Sequence, residues 1–200
     1  MNSFRTWLEE TEEFESESGS HIKVHLPSVK QNHNYDCGAA CLRAVCEHFK
    51  VGPEKEADFI KACKTSKKNG TTPQNIIKCA QQFGLNVRPK SGMSFDDMKS
   101  VLDMSRPIIC VIQAYGEKDE YHKPEAGHYV IAIGYDEKYV YFEDPSMTGS
   151  RGVLPYKEFA KRWHDKGIDG HTYARWGVVI WKPSGEETDR EFVPQAKAIP

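Results

Sequence analysis

The sequence lacks the features that would assign it to the membrane, secreted or nucleic-acid-binding classes. No apolar run approaches the roughly 20 residues that cross a bilayer, and the Glu-rich N-terminus does not resemble a secretory signal. The formal net charge is only -2 over 200 residues, so the chain has no overall attraction for nucleic acid or an anionic membrane. We therefore predict a cytoplasmic protein without membrane insertion and without a nucleic-acid partner.

Metal-binding patterns are also missing. There is no Cys-x-x-Cys pair, and neither His164 nor His171 has a second ligand at a recognisable spacing. We predict neither a metal nor a cofactor. The six cysteines stand at positions 37, 41, 46, 63, 79 and 110. Nothing indicates an oxidising compartment, so we interpret them as free thiols, and all except Cys37 as small buried hydrophobes.

The length and the 38% hydrophobic content predict one globular domain, over residues 21–182. Residues 1–20 form an acidic N-terminal extension with six Glu and one Arg, and residues 183–200 read as a C-terminal tail. Without these tails the domain is mildly basic, at about +5. The extension is interpreted as a solvated tail; an alternative hypothesis is that it covers the cleft as a pro-segment would.

Helical patterns precede strand patterns along the chain. Asp36 is a candidate N-cap for a helix with an apolar stripe that ends before Gly52, Thr72-Pro73 opens a second helix, and Ser94 with Asp97 forms a capping box for a third. Strands are predicted over 108–114, 128–134, 139–142 and 176–181, with a helix near 156–166. This order predicts an α+β fold with an antiparallel sheet.

Cys37 falls in the first turn of the first helix, where backbone N–H groups and the helix dipole stabilise a thiolate. Gly38 permits close approach of the backbone at this point. Gln31 lies six residues upstream, and its carboxamide is a candidate hydrogen-bond donor to the oxyanion of a tetrahedral intermediate, with the Cys37 N–H as the second donor. These residues predict a nucleophilic thiol.

Residues 128–134 and 138–144 are predicted to form the two arms of one hairpin. A three-residue connection would pair Gly134 with Lys138 and set His128 opposite Asp144. In that register the carboxylate orients the imidazole, which exchanges the thiol proton. A two-residue turn would pair Val130 with Glu143 and so interrupt the apolar face.

Rival residues exist for each role. His33 and His122 are other candidate bases, although each is expected in a polar loop without a paired carboxylate. Asp136 is the other candidate carboxylate, and its place in the hairpin turn favours a turn role. Asp144 itself precedes a proline and has an alternative interpretation as a strand end.

The chain resembles the bacteriocin-processing, or double-glycine leader, cysteine peptidases, a branch of the papain-like superfamily, over roughly residues 25–182. The motifs that carry this resemblance are Gln31, Asp36-Cys37-Gly38-Ala39-Ala40-Cys41-Leu42, Gly127-His128-Tyr129-Val130 and Asp144-Pro145, with weaker support from Phe159 and Trp163. The resemblance implies a papain-like fold, with an N-terminal helical lobe packed on a C-terminal antiparallel sheet lobe. It also implies a Cys37–His128 pair oriented by Asp144, with Gln31 in the oxyanion hole.

Family resemblance implies cleavage of a peptide or protein substrate through an acyl-enzyme. Many members belong to a peptide exporter, but this sequence shows neither membrane helices nor a nucleotide-binding motif, so we expect at most association with a separate exporter or another partner. Two alternatives remain. An amine acceptor would make the protein an acyltransferase or transpeptidase, and loss of activity would make it a peptide-binding module, which has no need of four catalytic groups.

Overall fold

The computed structural model describes residues 21–114, 127–147, 151–168 and 170–183. The helices described there are α1 (Cys37–Phe49), α2 (Glu56–Ala62), α3 (Pro73–Gln82), α4 (Phe95–Asp103) and α5 (Tyr156–Arg162). The strands are β1 (Asn86–Lys90), β2 (Ile108–Gln113), β3 (Gly127–Tyr135), β4 (Tyr139–Glu143), β5 (Gly152–Pro155), β6 (His164–Lys166), β7 (Thr172–Ala174) and β8 (Gly177–Trp181). The predicted extension and the end of the C-terminal tail lie outside the described residues.

Six strands form one antiparallel sheet in the order β1-β8-β2-β3-β4-β5, and β6 pairs with β7 in a small second sheet. β2 and β3 lie at the centre, and nearly all of their side chains are buried. Continuous apolar runs such as residues 108–112 are typical of strands that are covered on both faces. The sheet therefore supports the residues at the start of β3.

The predicted helix starts are confirmed at two positions. Thr72 accepts a hydrogen bond from the Asn75 N–H at the start of α3, and Ser94 forms a reciprocal capping box with Asp97 at the start of α4. These bonds satisfy first-turn N–H groups that have no partner inside a helix. The helix predicted near 156–166 is real but ends at Arg162, because the chain enters the short strand β6 at His164.

Helix α1 packs against α2 and against α3, and it also contacts β3. The apolar side of α1 joins a single core of buried side chains with β2, β3 and β4. The α+β arrangement predicted from the sequence is thus observed, and the contact between α1 and β3 brings the first turn of the helix to the strand that carries His128. Within the described part of the chain, no helix has both the length and the apolar character to cross a bilayer.

Candidate active site

Cys37 is the first residue of α1, and only 9% of it is exposed. Asp36 occupies the N-cap position as predicted, but its side chain makes no capping hydrogen bond. Its carboxylate turns away to the His33 backbone N–H and ring Nδ1. The Asp36 carboxylate therefore does not occupy the N–H groups of the first turn of α1.

Gly38 allows α1 to begin in close contact with two other elements. A Cβ at this position would lie 2.8 Å from Thr71 Cβ and 3.1 Å from Tyr129 Cδ2. The first distance is shorter than real Cβ contacts, so a side chain here would push the start of the helix away from β3. Tyr129 is fixed on its other side, where its hydroxyl donates to the Thr71 carbonyl at 3.0 Å. The close approach predicted for Gly38 is therefore confirmed.

His128 is the second residue of β3 and is 2% exposed. Its Nε2 lies 2.7 Å from Asp144 Oδ1, and the ring also forms a hydrogen bond with Cys37, for which Nδ1 is the remaining ring nitrogen. Burial disfavours the charged imidazolium, but the bonds to Asp144 and Cys37 outweigh it and raise the pKa of His128 to about 9. The imidazole is thus held mainly protonated at neutral pH.

Asp144 follows β4 and accepts three hydrogen bonds on one oxygen. Besides His128, its Oδ1 accepts from the Ser146 N–H at 2.8 Å and from the Ser146 hydroxyl at 2.7 Å. Burial alone would raise its pKa, but His128 and Ser146 stabilise the carboxylate and lower the pKa of Asp144 below its ordinary value. The Asp144 carboxylate therefore accepts hydrogen bonds both from the following turn and from His128. No role for Ser146 is predicted from the sequence.

The hairpin brings His128 to Asp144 by a different register from the one predicted. At the turn, Tyr135 pairs with Val140, but beyond an irregularity between Ala132 and Gly134 the pairing becomes Ala132 with Phe142. The predicted pairing of Ala132 with Val140 is wrong by two residues. A shift of two keeps side chains on the same face of a sheet, so Asp144 still reaches His128, as a diagonal neighbour.

The irregularity in β3 keeps His128 and Asp144 on the same face of the sheet. Near the turn, Gly134 pairs with Tyr141, a register that would carry His128 and Asp144 to opposite faces if it continued. Ile133 is the extra residue of a β-bulge, which shifts the pairing by one. The bulge lies against the chain at residues 21–24, since Lys23 N–H and Val24 N–H both donate to the Ile133 carbonyl at 2.9 Å.

Gln31 lies on a short loop before α1. Its backbone N–H donates to the Pro145 carbonyl at 2.8 Å, which places it beside the Asp144 turn. Its carboxamide Nε2 donates to the His33 carbonyl at 2.7 Å, and its Oε1 is buried without a partner among the described residues. The backbone bond to Pro145 and the side-chain bond to His33 therefore hold Gln31 in place, while its Oε1 makes no hydrogen bond that would add to them.

The rival residues have other contacts. The His33 ring binds Asp36 and is half exposed. Asp136 accepts from the Lys138 and Tyr139 N–H groups and from the Tyr141 hydroxyl, as its predicted turn role requires. His122 lies outside the described residues.

The other cysteines and the cavity are not part of the candidate site. Cys41, Cys46, Cys63, Cys79 and Cys110 are free and buried, as predicted. Within the described ranges, no group of three potential metal ligands is found. A cavity of about 720 Å³ lies between the end of α3, β1 and Trp181, and no candidate site residue lines it. Cys37, His128 and Asp144 form one hydrogen-bonded row, an arrangement suited to acyl transfer through a thiolate.

Comparisons with known proteins agree on one group of peptidases. A model of the Peptidase_C39 like family matches residues 23–168. A double glycine motif protease from an AMS/PCAT transporter, crystallised with the leader peptide, is 20% identical, with a TM-score of 0.59 over 80% of this chain and 94% of that chain. No curated protein matches.

Two further solved structures share the fold. The peptidase domain of Streptococcus ComA, a bi-functional ABC transporter involved in a quorum sensing pathway, is 21% identical, with a TM-score of 0.59 over 79% of this chain and 98% of that chain. A protein from Bacillus anthracis described as a C39-like peptidase is 15% identical, with a TM-score of 0.60 over 82% of this chain and 98% of that chain.

Proposed function

The chain belongs to the Peptidase_C39 like family, whose model matches well over half of it, and we propose that it is a cysteine peptidase with Cys37 as nucleophile. The resemblance and the papain-like α+β fold predicted from the motifs are confirmed by this match and by the solved peptidase domains. The observation that carries the proposal is the continuous hydrogen-bonded chain from Cys37 through His128 to Asp144.

The proposed reaction has two steps. The Cys37 thiolate forms a bond to the substrate carbonyl carbon, and the C–N bond breaks as the His128 imidazolium gives its proton to the leaving amine. Water then attacks the acyl-enzyme while His128 takes a proton from it, and the thiolate leaves. Asp144 holds the ring orientation and stabilises the imidazolium, a role supported by the 2.7 Å contact and the raised pKa of His128.

Gln31 is proposed to stabilise the oxyanion together with the Cys37 N–H. Its backbone bond to Pro145 supports this role, because it keeps the residue next to the Asp144 turn. One N–H of its carboxamide is bound to the His33 carbonyl, and a primary amide has a second. This second N–H is the proposed donor to the oxyanion.

The proposed substrate is a peptide or protein, with a leader peptide that carries a double glycine motif as the first candidate. Support comes from the double glycine motif protease in complex with a leader peptide. Association with a separate exporter is proposed on the same ground, since the Streptococcus relative is part of an ABC transporter. A cytoplasmic location and the domain limits at residues 21 and 182 stay predictions.

The decisive experiment is the pH dependence of Cys37 alkylation by iodoacetamide, read by mass spectrometry, in the wild type and in His128→Ala. Rapid labelling of Cys37 well below the ordinary thiol pKa of about 8.5, lost in His128→Ala, supports the proposal. Slow labelling that rises only near that pKa and ignores the substitution contradicts it. Peptide products formed with and without an added amine then distinguish hydrolysis from acyl transfer.

A further inference from the structure

The loop of residues 31–35, which carries Gln31, is held by a buried carboxylate from another helix. Glu56 is the first residue of α2 and is 9% exposed. Its Oε1 accepts the Asn32 backbone N–H at 3.1 Å, and its Oε2 accepts the Asn32 side-chain amide. Both carboxylate oxygens are thus bound to the residue that follows Gln31.

Asp36 holds the other side of the same loop. It is fully buried, its carboxylate accepts the His33 backbone N–H at 3.2 Å, and Oδ2 lies 2.9 Å from His33 Nδ1. Asp36 also directly precedes Cys37 in the chain. The loop that carries the proposed oxyanion donor is therefore linked through one side chain to the residue next to the nucleophile.

The two carboxyl groups are also in contact with each other. Burial raises the pKa of Glu56, the Asn32 amide partly opposes that rise, and a hydrogen bond to Asp36 adds to it. Arg43 is the cation that faces Glu56, with its Nη1 at 3.9 Å. Two adjacent buried acids are costly for a fold, and neither takes part in proton transfer at His128. Their common feature is that both bind the loop.

We propose that Glu56 is a positioning residue of the peptidase reaction, which fixes the 31–35 loop through Asn32 and so sets the place of the Gln31 carboxamide beside Cys37. This inference rests on the proposed function. Gln31 is then held from both sides, by Pro145 through its backbone N–H and by Glu56 through the next residue.

The test separates oxyanion stabilisation from thiolate formation with two probes of Cys37. Acetyl-glycyl-glycinal, a peptide aldehyde, adds the Cys37 sulfur to its carbonyl carbon and places its oxygen at the oxyanion position, whereas iodoacetamide reports only the reactive thiolate. Aldehyde affinity is read as protection against alkylation. The variants are Glu56→Ala, Gln31→Ala and the double variant, with Glu47→Ala as control, because Glu47 is the other carboxylate that binds Arg43.

We expect Glu56→Ala to weaken aldehyde binding on the order of 10–100-fold, as a small displacement of a catalytic group does. Its alkylation rate should stay within about two-fold of the wild type, since the thiol and base are untouched. On the Gln31→Ala background, Glu56→Ala should have no further effect, because it acts through the amide that has been removed. Glu56→Gln should fall between the wild type and Glu56→Ala, since it keeps one acceptor for Asn32.

Several results would overturn the inference. One is unchanged aldehyde binding in Glu56→Ala while Gln31→Ala weakens it; another is a Glu56 effect that simply adds to that of Gln31→Ala. If Glu56→Ala does not fold, Asn32→Ala removes the side-chain bond from the loop and must give the same non-additive pattern. Failure of the proposed function has a different signature, which is a wild-type Cys37 that neither labels at low pH nor binds the aldehyde.

Discussion

The two halves of the candidate site are built in different ways. Cys37, the proposed nucleophile, stands at the start of α1, where its place on the helix follows from residues within one turn: Asp36 before it, Gly38 after it, and small side chains beyond. His128, the proposed base, stands on β3, and Asp144 stands just after β4. Their contact depends on a strand register set at the far end of the hairpin. Local sequence determines the first half, and long-range pairing determines the second.

Their electrostatic settings differ as well. At α1 the Cys37 thiol lies at the N-terminus of a helix, and the nearby carboxylate of Asp36 binds His33 instead of capping that helix. At the hairpin, His128 is supported by an ionised side chain that is itself held by Ser146. The hairpin half therefore depends on a chain of specific hydrogen bonds, and it should be the half that conservative substitutions damage most.

The largest expected effect is the loss of peptide cleavage, and the two halves of the site differ in whether an alkylatable thiol survives. Cys37→Ala and His128→Ala should each reduce peptide cleavage on the order of 10⁴–10⁶-fold, because nucleophile and base act as one unit. His128→Ala should keep an alkylatable thiol, with labelling that rises only at high pH. His48→Ala, a histidine that binds the His25 carbonyl, serves as the control. Cleavage that survives Cys37→Ala would refute the thiol mechanism.

A smaller effect is expected when only the carboxylate charge is removed. The imidazolium form of His128 persists up to its pKa of about 9 and is lost as the pH rises through it, so cleavage should fall on that alkaline side. Asp144→Asn removes a contribution that raises this pKa, and the alkaline limb should move to lower pH, with turnover reduced on the order of 10²–10⁴-fold. The measurement is the pH profile of kcat/KM. An unmoved alkaline limb would assign it to another group.

Local signals in the sequence predict helix starts correctly. The starts of α3 and α4 follow from Thr72-Pro73 and from Ser94 with Asp97, and each is observed. Short elements without a periodic pattern, such as α2 and β5, were not predicted, because four to seven residues give too little periodicity and are stabilised by tertiary packing.

At the site, the sequence predicted the contact of His128 with Asp144 but not its register. Ile133 gives no sign of a bulge, because an isoleucine fits a regular strand equally well. The loop contact of Asn32 with Glu56 joins residues 24 positions apart, and no local pattern connects them. The roles of Cys37, His128, Asp144 and Gln31 remain predictions until activity is measured.

The bulge provides a direct way to disturb the hairpin half alone. A Cβ at Gly134 would lie 2.3 Å from the His21 carbonyl oxygen and 2.9 Å from Ile22 Cα, both rigid backbone atoms. Gly134→Ala should therefore destabilise the fold by about 1–3 kcal/mol and lower kcat, as the register behind His128 loosens. Gly152→Ala on β5 is the matched control, because its Cβ meets nothing closer than 3.7 Å. Urea unfolding and kcat are measured together, and equal stability of the two variants would contradict this account of the bulge.

The smallest effect belongs to the helical half, at a position that supports the fold and not the chemistry. Thr72→Ala removes the hydrogen bond from the Asn75 N–H at the start of α3 and should cost about 1 kcal/mol in the free energy of unfolding. The Cys37 alkylation rate should stay unchanged, because α3 packs against α1 without supplying a group to the site. Thr72→Ser, which keeps the capping oxygen, is the control for urea unfolding. A kinetic defect in Thr72→Ala alone would show that the position of Cys37 depends on α3, so that the nucleophile half is not determined by local sequence after all.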